Sequence, residues 1–135
     1  MIREKFTKFS RLSTIWLFWP AVAVVAWGEL SPNGGRVFHL WDKALHFTAY
    51  FGLAGIAFVA LWAGRVRSWN TVLWPALGLV LLGGVLEIIQ GYVGRDMSIW
   101  DEAANTLGVG AGSLAGWAYV SLFAARRLVE AGPPD

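Results

Sequence analysis

Residues 71–93 form an unbroken apolar run in which Glu87 is the sole charged side chain. A run of that length constrains the fold more than any other feature, because about 20 mostly apolar residues suffice for a helix to cross a bilayer. Three further runs lie at 12–30, 43–64 and 101–125. Their apolar residues are bunched, not spaced at the periods of an amphipathic helix or strand, which argues for membrane spans over a soluble core. Only 15% of residues are charged, against roughly a quarter in an ordinary soluble domain. In 135 residues the four runs leave only short connections and two tails. The expectation is a single all-α domain, a four-helix transmembrane bundle. The lack of cysteine excludes disulfides, thiolate nucleophiles and cysteine-ligated metals.

Lysine and arginine set an orientation for that bundle. Arg3, Lys5, Lys8 and Arg11 precede the first run, Arg65 and Arg67 separate the second from the third, and Arg126 and Arg127 follow the fourth. These eight face only three at the alternate ends, Arg36, Lys43 and Arg95. The positive-inside rule therefore places both termini in the cytoplasm. Trp27, Trp41 and Trp100 then mark the outer boundary, and Trp16, Trp62, Trp69 and Trp74 the inner one. The basic N-terminus reads as an anchor for anionic lipid and not as a nucleic-acid surface. Ala21-Val22-Ala23 has the small residues of a signal-peptide cleavage site, but the apolar stretch continues through Trp27, as in a signal anchor. The other three runs keep the same orientation in both cases.

This orientation gathers the polar residues at the outer end. On the second run Asp42, His46 and Tyr50 follow i, i+4, i+8 spacing and share a face, with Lys43 beside them. Glu87 and Gln90 lie one turn apart on the third run, and Glu87 is roughly 10 Å in from Gly94 at 1.5 Å per residue. Asp101 and Asn105 repeat the i, i+4 spacing on the fourth, and Arg95 stands in the preceding connection. Lipid satisfies none of these groups, so the three patches are expected to face one another, with His46, Glu87 and Asn105 in one cluster. Gly84 and Gly91 flank Glu87 and would allow close approach. Ala104, Gly108, Gly112 and Gly116 form a small-residue line suited to tight packing within the bundle, or to a second copy of the chain through Gly108, Gly112 and Gly116.

Plainer roles exist for the same residues. Asp42 suits an N-cap, and the four residues from Ser98 to Asp101 have capping-box spacing. His46 also suits a packed position, Arg95 a boundary anchor, and His39 an exposed loop. Glu87 is the hardest to explain by packing, because an intramembrane carboxylate is costly.

The ordered set Asp42-Lys43-x-x-His46-Phe47-x-x-Tyr50-x-x-Leu53, Glu87-x-x-Gln90, Arg95 and Asp101-x-x-x-Asn105-x-x-Gly108-x-x-x-Gly112 resembles the VanZ-like family of small bacterial integral membrane proteins. The likeness spans roughly residues 42–116. It implies a multi-pass protein of the bacterial cytoplasmic membrane that influences susceptibility to teicoplanin-type glycopeptides. From the residues themselves, helix N-termini with Lys43 and Arg95 favour an anion such as a lipid phosphate. The expected partner is a membrane lipid or lipid-linked amphiphile held by Asp42, Lys43, Tyr50, Gln90, Arg95, Asp101 and Asn105. An enzyme acting on a lipid phosphate is the alternative, with His46 and Glu87 as its acid–base pair. A small dimeric transporter is a second, though such exporters use a carboxylate on their first helix, whose run here holds none before Glu29. A divalent cation on Asp42, His46, Glu87 and Asp101 is conceivable, but their spacing matches no metal motif, so no metal or other cofactor is expected.

Overall fold

The computed structural model describes the backbone of residues 2–31, 39–62 and 69–131, and the side chains of 16–31, 42–61, 70 and 72–122. Four helices follow in order, α1 (Ile2–Leu30), α2 (His39–Trp62), α3 (Trp69–Tyr92) and α4 (Ile99–Ala131), with no strand among the described residues. Over the described residues each apolar run falls on one helix, with Val93 in the turn after α3. Helices α1 and α4 continue past their runs into the basic segments, and His39, expected in a loop, opens α2. Arg36, Arg65 and Arg67 lie outside the described residues, as do the side chains of Trp41, Trp62 and Trp69.

Among the described residues two helices have the length and composition to cross a membrane, over Asp42–Leu61 and Val72–Tyr92, with mean hydropathies of 1.8 and 2.2. Only 33% and 22% of these stretches is buried inside the molecule. A core helix of a soluble domain hides most of its apolar surface; these two leave it outside. Helix α1 adds a shorter apolar stretch, Trp16–Leu30. Trp16, Trp27, Trp74 and Trp100 are 70–75% exposed, beside exposed Leu81, Ile88, Leu114 and Trp117.

Inside, an apolar core joins all four helices: Tyr50, Leu53 and Ala54 of α2, Leu79 of α3 and Val109 of α4, with Phe18, Val22 and Val25 of α1 against them. The most extensive contact is α2 on α4. The glycine line makes it possible. A Cβ at Gly108 or Gly112 would collide with the carbonyl oxygen of Phe47 or Phe51, and one at Gly116 would stand 2.8 Å from Phe58 Cβ. The line offered by the sequence to a second copy is thus filled by α2 of the same chain.

Helix α3 ends in a Schellman turn. Gly94 takes φ +81°, and the Arg95 N–H reaches back to the Gln90 carbonyl at 3.0 Å. An L side chain disfavours that conformation, so glycine is the natural residue there. The turn sends Arg95 back over the end of the bundle where α1 and α3 finish and α2 and α4 begin. At that end the buried positions become polar.

Candidate functional site

Six polar side chains are buried in the described bundle: Glu29, His46, Glu87, Gln90, Asp101 and Asn105. All lie at the end just named. The i, i+4 faces read from the sequence put His46 and Tyr50 inward together, both under 5% exposed, and Asp42 half-buried at the rim. Lys43 reaches from α2 to Asp101 on α4, Nζ to Oδ1 at 3.1 Å. The His46 ring lies between helices, its Nδ1 3.1 Å from Asn105 Oδ1 and 3.2 Å from Glu29 Oε1. Its Nε2 is 3.9 Å from Asp42 Oδ1. Arg95 donates to the Glu29 carbonyl oxygen and pairs with Asp42 Oδ1 at 3.6 Å. Asn105 Nδ2 donates to Glu102 Oε2 at 3.3 Å.

Glu87 takes a different part from the one its position suggested. Its Oε2 accepts the Ser98 N–H at 3.0 Å. Ser98 is the N-cap of α4, since its carbonyl accepts from the Asp101 and Glu102 amides. The carboxylate of α3 therefore satisfies an orphan donor that a capping box would give to Asp101, while Asp101 turns to Lys43. Among the described residues no hydrogen bond or ion pair joins Glu87 to His46. The carboxylates within 4 Å of the His46 ring are Glu29 and Asp42.

Glu29 and Glu102 are the residues that sequence reasoning left out of the site. Both had the signal used for the others, an ionisable group at the polar end of an apolar run, but Glu29 lay outside residues 42–116, from which the site was drawn. The close approach on α3 is also made by a neighbour of the expected glycine. A Cβ on Gly83 would stand 2.6 Å from Glu102 Oε2, 2.9 Å from Asn105 Nδ2 and 3.3 Å from Tyr50 Oη, whereas Gly84 has only the Glu102 carboxylate at 4.0 Å. Helix α3 leaves room there for polar groups from α2 and α4.

Several buried polar atoms are left over. Both carboxylate oxygens of Glu29, Tyr50 Oη, Glu87 Oε1 and Gln90 Nε2 have no hydrogen-bond partner. Such atoms are costly without water or a ligand to meet them. Beside Glu29 lies a half-open cavity of about 260 Å³, lined by Val25, Gly28 and Glu29 of α1, Asp42, Leu45, His46 and Ala49 of α2, and Arg95. Its volume approaches that of the smaller ligand pockets. Lys43 and Arg95, expected to attract an anion, are each paired with a carboxylate, and Glu29, Asp42 and Asp101 outnumber them. One donor atom from each of Asp42, His46 and Asp101 also lies within 4.8 Å of the others, as ligands of one metal ion would. No family model, curated protein or solved structure matches the chain.

Proposed function

We propose that the chain is a multi-pass protein of a bacterial cytoplasmic membrane, with both termini in the cytoplasm, and that the cavity between α1 and α2 binds an amphiphile at the outer boundary. The carrying observation is the two-sided lining of that cavity. Val25, Leu45 and Ala49 form an apolar wall, while Glu29, Asp42, His46 and Arg95 supply polar groups. A membrane lipid or lipid-linked envelope component has the same division into tail and head. The surrounding bundle supports a membrane setting, since its outer faces are apolar and its polar groups turn inward.

Charge narrows the head group. Arg95 already serves Asp42 and the Glu29 carbonyl, so a bare phosphate finds no free cation at the cavity. Hydroxyl, amide or ammonium groups suit Glu29, whose oxygens lack donors. The VanZ-like resemblance adds the expectation that disrupting the cavity alters susceptibility to teicoplanin-type glycopeptides. Mass spectrometry of protein released in mild detergent tests the binding reading. The wild type is expected to retain an amphiphile that Ala49→Phe, which fills the apolar wall and leaves the polar groups in place, loses. Identical lipid profiles in the two proteins, matching the bulk membrane, would reject it.

A further inference from the structure

We propose that Asp42, His46 and Asp101 bind one divalent transition-metal cation. The inference concerns atoms beside the cavity and stands whether or not an amphiphile occupies it. It begins with the His46 ring. Nδ1 faces two acceptors, Asn105 Oδ1 at 3.1 Å and Glu29 Oε1 at 3.2 Å. The Asn105 amide is oriented independently, because its Nδ2 donates to Glu102 Oε2. Nδ1 therefore carries the hydrogen, and a neutral ring turns the lone pair of Nε2 toward Asp42 Oδ1, 3.9 Å away. That gap is too long for a shared proton. A metal-bound histidine characteristically donates its other ring N–H to a carbonyl or carboxylate, and His46 Nδ1 has the Asn105 side-chain carbonyl.

The spacing suits a cation after a small adjustment. The three donor atoms lie within 4.8 Å of one another. Tetrahedral ligands with bonds of about 2.1 Å stand roughly 3.4 Å apart, so side-chain shifts on the order of 1 Å close the site. One imidazole with two carboxylates favours Zn²⁺, Mn²⁺ or Fe²⁺ over soft ions. The Glu29 carboxylate adds negative charge beside the three ligands, 3.2 Å from the His46 ring, and so favours a cation there. The Glu29 side chain is only 8% exposed, lines the adjoining cavity, and has no hydrogen bond to either oxygen.

Lys43 holds one of the three ligands in the absence of a metal. Its ammonium lies 3.1 Å from Asp101 Oδ1, yet the side chain is 52% exposed and free to swing out, while Asp101 stays buried. Metal and ammonium therefore compete for one carboxylate. Glu87, conceivable as a ligand from the sequence, is not in the set because its carboxylate caps α4.

Chelator-stripped full-length protein in detergent, dialysed against Zn²⁺ or Co²⁺, tests the site. One ion per chain is expected, with visible Co²⁺ absorption. His46→Gln should weaken Co²⁺ binding at least a hundred-fold, and Asn105→Ala, which frees the ring, by roughly ten- to a hundred-fold. Lys43→Met should tighten it several-fold by removing the competitor. Melting in detergent checks that each variant is folded, and the wild-type stoichiometry and the Lys43→Met result hold even if His46→Gln is not. A folded wild type that binds no stoichiometric ion overturns the proposal. So does unchanged affinity in His46→Gln or Lys43→Met.

Discussion

Glu87 Oε2 meets the Ser98 N–H at 3.0 Å, and neither oxygen meets a cation. Lys43 and Arg95, the cations at the same end of the bundle, are held by Asp101 and Asp42. Glutamine keeps an acceptor of the same reach, so Glu87→Gln should melt close to the wild type. Glu87→Ala leaves the Ser98 N-cap amide without its partner in a part-buried place, a loss of about 1–3 kcal/mol. Thermal unfolding of both variants in one detergent makes the comparison. A Gln variant as unstable as the Ala variant would mean that the charge, and not the cap, matters at this position.

At the level of the helix, the four-residue glycine spacing on α4 decides how near α2 can come. Gly112 has the Phe51 backbone against it, whereas a Cβ on Gly110 would meet nothing within 4 Å. Gly112→Ala should therefore push the helices apart and cost about 1–3 kcal/mol, as overpacking does. Gly110→Ala should be neutral or stabilising by up to about 1 kcal/mol through helix propensity. Gly94 differs from both, having open space around it but φ +81°. Gly94→Ala should lose about 1 kcal/mol through backbone strain alone. Unfolding midpoints of the three variants rank these effects, and equal losses at Gly110 and Gly112 would contradict the packing described.

Across the whole molecule, one end of the bundle is tied by charges that cross between helices. Lys43–Asp101 joins α2 to α4, and Arg95 joins the α3–α4 connection to both α1 and α2. The proposed orientation puts this end outside the cell. A cysteine replacing Met97, which is 64% exposed, should react with an impermeant thiol reagent on intact cells. One replacing Ser68 should react only after the membrane is opened. The reverse pattern would turn the site toward the cytoplasm and remove the outer-leaflet reading.

Helix number, order and the gathering of polar residues at one end were readable from the chain, because each depends on local composition and on 3.6-residue periodicity. Asp42, His46 and Tyr50 share a face wherever α2 is placed. Which groups meet across helices depends on how each helix is rotated against its neighbours, and spacing along one chain segment carries no information about that. Gly83 and Gly84 point about 100° apart on α3, so the choice of Gly83 as the contact was made by the packing of α3 on α2 and α4. The same packing gave Asp101 to Lys43 in place of its own N-cap, and let Glu87 cap α4 from α3. It brought Glu29 to His46 from a helix outside the recognisable motif, and it closed the glycine line on α2. Burial explains why these pairings were settled together: a polar group without water must find its partner among the helices that happen to enclose it.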